Sequence, residues 1–263
     1  MLWKEEGKVK MIKYIASWSG GKDSTASIIL AHEHNEPLDL IIFAEVMFDK
    51  NISGELPEHI DFIKNKAIPT FESLGYKVKI LHSDKTYMDC FHHIIVRGKN
   101  VGKKKGFAMS GHCDVQGYCK LRAIKQFWKS FKHEYVQYIG IAIDEKKRLE
   151  RLDDCKISLL EKYKLTEQDA FRLCKKYDLL SPIYDYSFRG GCWFCPNMKV
   201  KELKRLRKKH NNLWKKLLCL ENESNLAGYE YDMLNHKSIH EYESYFSGLE
   251  KSKQMLYEYL KTK

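Results

Sequence analysis

The first two thirds of the chain alternate between short apolar runs and longer stretches in which apolar residues recur every three or four positions. Short runs of this kind predict buried strands, and the longer period predicts amphipathic helices. The predicted strands are Lys10–Ser17, Leu38–Glu45, Lys77–Leu81 and Tyr135–Ile143. The predicted helices of this part are Asp23 to about His34, Glu58–Leu74, Lys120–Phe131 and a segment from Thr166 to Cys174.

Strands that alternate with helices are typical of a parallel sheet with helices on both sides. The sequence therefore predicts an α/β fold with a doubly wound, mostly parallel sheet. Val200–Leu218 and His240–Tyr259 have the spacing of helices, so the end of the chain is expected to be helical. We expect an α/β domain over residues 1–150, and a helical region over residues 151–263 that packs on it and carries Cys192 and Cys195.

The composition excludes several classes of protein. Hydrophobic residues make up 43% of the 263 positions, which is enough for a core and excludes wholesale disorder. Apolar runs such as Leu40–Ala44 are far too short to span a bilayer. The start, Met1–Gly7, lacks the apolar core and cleavage site of a signal peptide. We therefore expect a cytoplasmic protein.

The chain is basic, with 46 Lys and Arg against 35 Asp and Glu and a formal net charge of +11. Much of this charge lies in the predicted helix, between Lys199 and Lys209. A basic face of this kind permits a nucleic-acid partner, either tRNA or DNA. A solvated helix face explains the same run equally well, and the sequence leaves self-association into a homo-oligomer open.

A short polar segment, Ser19–Thr25 (SGGKDST), joins the first predicted strand to the first predicted helix. Two glycines allow a tight turn and a close approach of backbone N–H groups to an anion. The start of the helix adds a partial positive charge, and Lys22 adds a full one. The segment fits neither the Walker pattern nor the dinucleotide pattern G-x-G-x-x-G. It predicts phosphate binding, although a glycine pair also occurs in a plain turn.

The same string resembles the PP-loop of the ATP pyrophosphatase, or adenine nucleotide alpha-hydrolase, superfamily. The resemblance implies that the loop grips a terminal pyrophosphate and that chemistry occurs at the α-phosphate. It implies ATP with Mg²⁺ as the bound species. The nucleotide-binding residues implied by it are Ser17, Ser19, Gly20, Gly21, Lys22, Asp23, Ser24, Thr25, Glu45 and Gly140.

Three further segments are similar to the phosphoadenosine phosphosulfate (PAPS) reductase-like branch of that superfamily. They are Gly140–Glu145 with Arg148, Cys119–Arg122 with Lys125, and Gly190–Pro196. Ala142 stands where the branch commonly has an arginine. The catalytic residues implied by the resemblance are Lys22, Asp23, Arg122, Lys125 and Arg148.

Four of the eight cysteines, Cys113, Cys119, Cys192 and Cys195, form two clusters in the sequence. Four thiolates suit either an iron–sulfur cluster or Zn²⁺. The resemblance favours a [4Fe-4S] cluster, with Zn²⁺, no metal, or a redox dithiol in the C-x-x-C as alternatives. His112, next to Cys113, is a candidate substitute ligand. The remaining thiols in the body of the chain, Cys90, Cys155 and Cys174, are expected to be small buried hydrophobic residues.

Taken together, these features predict an enzyme that cleaves ATP between the α- and β-phosphates, for example in sulfur transfer to a nucleic acid. The first alternative is a sulfonucleotide reductase that forms sulfite. That branch uses a cysteine near the C-terminus, and no cysteine follows Cys219 here. The second alternative is a non-catalytic module that binds a nucleotide or a nucleic acid.

Overall fold

A computed structural model of the chain describes residues 11–107, 113–227 and 237–261. Lys10, where the first strand is expected to start, the Met1–Gly7 segment and His112 lie outside these residues. Two compact units divide the chain, and each is built from separated stretches. We call them the sheet unit (residues 1–46, 55–84 and 120–190) and the cysteine unit (residues 47–54, 85–119 and 191–263). The sequence suggested a single boundary near residue 150.

The described part of the sheet unit contains a five-stranded sheet in the order β3-β2-β1-β4-β5, and every neighbouring pair is parallel. The strands are β1 (Lys13–Trp18), β2 (Leu40–Glu45), β3 (Val78–His82), β4 (Tyr135–Ile139) and β5 (Lys156–Ile157). This arrangement confirms the predicted α/β fold with a doubly wound parallel sheet.

The α-helices of the described residues belong to both units. They are α1 (Lys22–Glu33), α2 (Pro57–Phe62), α3 (Ile68–Ser73), α4 (Tyr87–Phe91), α5 (Arg122–Ser130), α6 (Lys146–Leu149), α7 (Leu159–Lys162), α8 (Glu167–Lys176), α9 (Val200–Lys209), α10 (Asn211–Glu221) and α11 (Ile239–Lys261). Two π-helical segments, Ile63–Ala67 and Gln116–Leu121, and a 3₁₀-helix, Pro182–Asp185, complete the set.

Both faces of the sheet are covered because successive residues of a strand point to opposite sides. On one face Ala16 and Trp18 of β1 pack into a large core that includes the apolar residues of α1. On the other face Ile15 packs with Ala123 and Phe127 of α5. Burial on both sides explains why β2 is a nearly unbroken apolar run.

The strand order places a switch point at the carboxyl end of β1. The chain proceeds outward from β1 to β2 and β3, and then returns to form β4 on the other side of β1. Parallel α/β sheets bind ligands in the crevice at such a point. The Ser19–Thr25 segment follows β1 directly and runs into α1, so the topology positions the candidate phosphate loop at this crevice.

Several predicted elements have different bounds in the structure. The predicted helix Glu58–Leu74 is α2, a π-helical segment and α3 in succession, and the predicted strand Tyr135–Ile143 ends at Ile139. The predicted basic helix Val200–Leu218 is wrong as a single element. It breaks at His210, whose φ of −129° and ψ of 55° are not helical, into α9 and α10.

The cysteine unit is held together largely by aromatic side chains. Tyr87 of α4 stacks on Phe194, with ring centroids 4.0 Å apart. Trp193 contacts Phe48 at 4.6 Å, and Trp214 of α10 contacts Phe246 of α11 at 6.1 Å. The end of the chain is helical, as predicted.

Within the described ranges, no helix combines the length and the apolar character needed to cross a bilayer.

Candidate nucleotide site and cysteine cluster

The loop after β1 has a backbone shape that only glycine accepts at one position. Gly20 has a φ of +74°, in the left-handed region. A Cβ atom on Gly20 would lie 2.6 Å from Ile63 Cδ1 and 2.7 Å from His59 Cε1. The loop therefore turns tightly against two buried side chains of the α2 region, and position 20 has no room for a side chain.

Backbone N–H groups of this loop are available to an anion. Thr25 N donates to Gly21 O at 3.0 Å, and Ser19 N donates to Ser24 Oγ at 3.1 Å. Within the described residues, the N–H groups of Gly20, Asp23 and Ser24 have no acceptor. Free N–H groups at a tight turn and a helix start form an anion-binding cradle.

His59 of α2 binds the backbone of the loop. Its Nε2 lies 3.2 Å from Ser19 O, and its Nδ1 lies 2.8 Å from Ser181 Oγ. A carbonyl oxygen only accepts, so Nε2 carries the proton, and Nδ1 accepts from the Ser181 hydroxyl. Burial lowers the pKa of His59 to about 4, which keeps the ring neutral near pH 7.

A second support comes from the 3₁₀-helix that follows Ser181. Lys22 N donates to the hydroxyl oxygen of Tyr184 at 2.9 Å. The Tyr184 O–H remains able to donate to a further acceptor, such as a phosphate oxygen. Sequence reasoning missed His59 and Ser181 as loop supports because a buried histidine in a helix and a serine before a proline carry no distinctive pattern.

The charged side chains of the loop are already paired. Lys22 Nζ lies 2.9 Å from Asp23 and 2.7 Å from Glu167. Burial alone lowers the pKa of Lys22, but the hydrogen bonds to Glu167 and Asp23 outweigh it and raise the pKa. Burial also raises the pKa of Asp23, in spite of its contact with Lys22. The lysine is thus fully charged and held at the loop by carboxylates.

Glu45 ends β2 as a fully buried carboxylate. It lies 3.0 Å from Lys64 Nζ and 2.9 Å from His82 Nε2. A second buried carboxyl group, Glu55, belongs to the same unit, and burial raises its pKa with a further contribution from the charge of Glu45. The resemblance implied Glu45 as a nucleotide-binding residue, but the sequence gave no signal for Glu55.

Three other predicted nucleotide-binding residues have packing roles around the loop. Ser17 accepts a hydrogen bond from the Gln137 side chain. Thr25 accepts one from Trp18 Nε1 at 2.9 Å. Gly140 follows β4 at the point where its backbone meets the start of α1, and a Cβ there would lie 2.4 Å from Ser24 N.

The three cations predicted at the α-phosphate lie in different surroundings. Arg122 forms a forked pair with Asp84, with Nη2 2.7 Å from Oδ2, and this hydrogen bonding lowers the pKa of Asp84 to about 2. Arg148 pairs with Glu145, and Lys125 is exposed. None of these side chains hydrogen-bonds to the loop within the described chain. Their catalytic role stays a prediction.

The predicted metal ligands all belong to the cysteine unit, although they differ in exposure. Cys119 is buried, Cys192 and Cys195 are half-buried, and Cys113 is exposed. Cys192 and Cys195 flank a turn in which Cys195 N donates to Cys192 O at 3.0 Å. Across the described residues, no three Cys, His, Asp or Glu side chains converge as ligands of one ion.

A fifth thiol, Cys90 of α4, lies beside Cys119, with the two Sγ atoms 3.8 Å apart. This contact lowers the pKa of Cys90 and raises that of Cys119, because one thiol donates to the other. Cys90 is half-buried, whereas it was expected to be a small buried hydrophobic residue. Cys155 is exposed, which is also contrary to expectation, whereas Cys174 is buried and its thiol lies 3.1 Å from Lys22 O.

Tyr87 of the same unit carries a buried hydroxyl without a hydrogen-bond partner among the described residues. Its side chain is 1% exposed, and its hydroxyl has no hydrogen-bond partner within the described residues. Burial raises the pKa of Tyr87 well above its usual value, and the nearby thiols of Cys192, Cys90 and Cys113 raise it further. A buried, unpaired hydroxyl of this kind requires an explanation.

Helix α9 carries the basic run that was predicted to meet a nucleic acid. Leu203 and Leu206 are buried, and Arg207 is bound by Glu243 and Glu250 of α11. The lysines of α9 that face solvent are Lys201, Lys208 and Lys209. Part of the charge therefore holds the helices together, and the rest lies at the surface.

No family model matches the chain, but it is similar to a curated protein and to a solved structure. An uncharacterized protein of Methanocaldococcus jannaschii is 25% identical over 218 residues, which are 76% of this chain and 45% of that protein. The chain thus spans about half the length of this relative. The solved structure of the U34-tRNA thiolase NcsA from Methanococcus maripaludis, with its [4Fe-4S] cluster, is 17% identical, with a TM-score of 0.39. That match covers 86% of this chain and 83% of the other.

Proposed function

We propose that the chain is a PP-loop nucleotide enzyme, similar to the PAPS reductase-like branch, that binds MgATP and cleaves it between the α- and β-phosphates. The observation that carries this proposal is the loop after β1. It combines a positive-φ glycine, three N–H groups without an acceptor and a half-buried lysine at the switch point of a parallel sheet. Such a cradle suits the β- and γ-phosphates.

The side chains around the loop have distinct roles in this proposal. Lys22 places its charge on the terminal phosphates, and the Tyr184 hydroxyl donates to one of their oxygens while it continues to accept from Lys22 N. His59 keeps the Ser19 carbonyl turned away from the anion by binding it. These groups position the nucleotide and balance its charge, so the first step requires no protein nucleophile.

In the first step an oxygen of the acceptor attacks the α-phosphorus, the bond to the β-phosphate oxygen breaks, and pyrophosphate leaves. A sulfur nucleophile then displaces AMP from the adenylated acceptor. We assign a nucleic acid as the acceptor because the net charge is +11 and the exposed lysines of α9 form a basic face. We also propose a cytoplasmic location for the protein, because the proposed reaction uses ATP and the cysteines are reduced thiols.

We assign a soft-metal centre, [4Fe-4S] or Zn²⁺, to the thiols of the cysteine unit, where Cys113, Cys119, Cys192 and Cys195 were predicted as ligands. Two observations support the fit: thiolates are the donors that both groups prefer, and the Tyr87 hydroxyl of the same unit lacks a partner within the described residues. When bound, such a centre supplies a Lewis-acidic position for a sulfur ligand.

The test is to incubate the protein with ATP labelled at the α-phosphate, Mg²⁺, sulfide and bulk tRNA, and to identify the labelled product. We expect AMP together with an equal amount of pyrophosphate. Lys22→Ala should abolish both, and Lys176→Ala, which alters an exposed lysine in the same unit, should leave them unchanged. ADP as the product, or full activity in Lys22→Ala, would contradict the proposal.

A further inference from the structure

Residues 93–105 of the cysteine unit form a hairpin that lies outside the candidate nucleotide site and contains none of the predicted metal ligands. An antiparallel bridge joins Ile94 to Lys104. Next to the bridge, Ile95 N donates to Lys103 O at 2.9 Å. The two stretches are therefore hydrogen-bonded to each other, and we call this segment the basic hairpin.

The basic hairpin is anchored at its base and along one side. Gly106 N donates to Phe91 O at 2.9 Å, and the buried rings of Phe91 and Phe107 meet edge to face with centroids 5.1 Å apart. Along the second stretch, Lys104 N donates to Asn225 O at 2.8 Å. These contacts hold the hairpin in one shape, so a partner that binds it pays little for ordering it.

The basic hairpin carries cations and no carboxylate. Five Lys or Arg residues lie between positions 97 and 105, and the chain has no Asp or Glu between Asp89 and Asp114. Lys104 and Lys105 form ion pairs with carboxylates outside the hairpin. A run of cations of this density attracts a polyanion. The cations of the hairpin that face solvent are Arg97, Lys99 and Lys103.

The basic hairpin also exposes apolar side chains beside these cations. Val96 is 73% exposed and Val101 is 58% exposed. Segments that bind a membrane surface usually carry Trp, Tyr or Phe, and none of these residues lies between Phe91 and Phe107. Cations together with aliphatic groups suit a partner that offers both phosphates and apolar surface. RNA with unpaired bases has both, because its loops expose base faces next to the backbone.

We propose that the basic hairpin is a docking surface for RNA with unpaired bases. Its three exposed cations contact phosphates, and Val96 and Val101 contact exposed bases. The phosphate contacts position the RNA, and the base contacts favour unpaired segments over a duplex. The inference rests on the nucleic-acid acceptor of the proposed function, and it names a surface for that acceptor in addition to α9.

The first experiment measures the affinity of the full chain for labelled bulk tRNA by fluorescence anisotropy at several salt concentrations. We expect the slope of log affinity against log salt to become shallower by about two to three in the hairpin variant and to stay unchanged in the control. A hairpin variant with the slope of the wild type would overturn the inference. The hairpin variant combines Arg97→Gln, Lys99→Gln and Lys103→Gln. The control removes the same charge from exposed lysines of the sheet unit and combines Lys164→Gln, Lys175→Gln and Lys176→Gln.

The second experiment separates base contacts from charge. Val96→Ser combined with Val101→Ser removes the exposed apolar groups and keeps every cation. We expect the affinity for tRNA to fall by about fivefold or more, with an unchanged salt slope. The affinity for a fully paired RNA duplex should not change, because a duplex keeps its bases stacked inside. Equal losses for both RNAs, or no loss for either, would show that the valines do not contact bases.

Vesicles of phosphatidylcholine and phosphatidylserine test the membrane as the alternative partner. We expect the wild type and the hairpin variant to bind these vesicles equally. Vesicle binding that the hairpin variant loses while it keeps its affinity for tRNA would overturn the inference. The melting temperature of each variant should equal that of the wild type, because the changed side chains are exposed.

Turnover separates this inference from the proposed function. The basic hairpin and the phosphate loop belong to different units, so the hairpin variant should bind ATP as the wild type does. Its KM for tRNA should rise while kcat stays the same. A wild type that binds tRNA through the hairpin but does not cleave ATP would contradict the proposed function and support the inference. A wild type that cleaves ATP but does not bind tRNA would overturn the inference.

Discussion

Gly20 shows how the absence of one side chain determines the shape of the candidate phosphate loop. Its positive φ and its contacts with His59 and Ile63 both exclude a Cβ atom. Gly75 offers a matched control, because its φ is +89° and nothing lies within 4 Å of a Cβ built on it.

We expect Gly20→Ala to destabilise the fold by about 1–2 kcal/mol for the positive φ and by a further 1–3 kcal/mol for the clash. Gly75→Ala should lower the unfolding free energy only by the cost of the positive φ, about 1–2 kcal/mol. Urea unfolding measures both costs, and calorimetry with MgATP should show loss of binding only in Gly20→Ala. If both variants lost the same unfolding free energy, His59 and Ile63 would be able to move aside for the added Cβ atom at position 20.

His59 gives the protein a pH dependence that can be assigned to one group. Its pKa is about 4 in the folded chain against an ordinary value of 6.5, because the buried ring resists a charge. Between these values the unfolded chain binds a proton that the folded chain excludes. Stability is therefore fully present above pH 6.5 and falls, by up to about 3 kcal/mol, as the pH drops towards 4.

The measurement is the difference in unfolding free energy between wild type and His59→Gln at several pH values. Other acidic groups titrate in both proteins and cancel in this difference. We expect the advantage of the wild type to shrink as the pH falls from 6.5 to 4. A constant difference would show that His59 is not buried as a neutral ring.

The residues that the sequence identified are those whose chemistry depends on neighbours in the chain. The Ser19–Thr25 string and the C-x-x-C are local patterns, so they were visible. His59 and Cys90 act through contacts with residues 40 and 29 positions away, respectively. Both lie in stretches whose periodicity resembles that of any amphipathic segment, and no local signal distinguishes them from core residues.

The 3₁₀-helix Pro182–Asp185 acts on the loop through a single hydroxyl group. Tyr184→Phe removes the acceptor for Lys22 N and the donor that we assign to a phosphate oxygen. Loss of about 1 kcal/mol for such a hydrogen bond corresponds to about a fivefold weaker binding of ATP. Tyr177→Phe, which loses only a surface bond to Glu33, is the control and should bind ATP normally. Equal ATP affinities in the two variants would show that the Tyr184 hydroxyl does not contact the nucleotide.

Helices α9 and α11 are joined by a polar contact that the basic sequence of α9 does not predict. Glu243 accepts from Arg207, with Nε to Oε2 at 2.8 Å, and from Trp214 Nε1 at 2.6 Å. The hydrogen bond from Arg207 lowers the pKa of Glu243 to about 2, so the carboxylate stays charged. Glu250 binds the same arginine but is 55% exposed.

We expect Glu243→Ala to lower the unfolding free energy by about 1–3 kcal/mol, because it removes the acceptor of Trp214 Nε1 and of Arg207 Nε. Glu250→Ala should cost less than about 1 kcal/mol, since its pair is exposed to solvent. Thermal unfolding of the full chain compares the two. A larger effect from Glu250 would place the main contact elsewhere on α11.

Elements with long periodic patterns were foreseen better than short or irregular ones. The first four strands and the helices that cover them follow from strong apolar patterns. The two-residue β5 and the five-residue α4 are too short to have a recognisable period. The break at His210 falls in a run of lysines and leucines that is favourable for helix throughout, so only the packing of α9 and α10 reveals it.

The division of the chain into units was not accessible from sequence order. Both units are assembled from three stretches, and the stretches interleave between Met47 and Gly191. A boundary drawn along the chain assumes that neighbours in sequence are neighbours in space. That assumption fails wherever a segment leaves one core and later returns to it, as the chain does at Lys85 and Lys120.

The net charge of +11 belongs to the molecule as a whole, and its response to salt tests whether a nucleic acid is the acceptor. Lysines that meet phosphates release counterions, so affinity falls steeply with salt. We expect the affinity for tRNA to decrease linearly on a plot of log affinity against log salt. A triple change of Lys201, Lys208 and Lys209 to Glu should make that slope shallower by about two to three, at about 0.9 for each lost contact.

The matched control changes three exposed lysines of the sheet unit, Lys164, Lys175 and Lys176, to Glu. It alters the net charge by the same amount, so a purely long-range effect of charge would weaken both variants alike. A direct contact at α9 instead lowers the slope only in the first variant, because counterion release depends on the number of phosphates touched. Equal slopes in both variants would show that α9 is a solvated helix face. The nucleic acid would then not contact this helix.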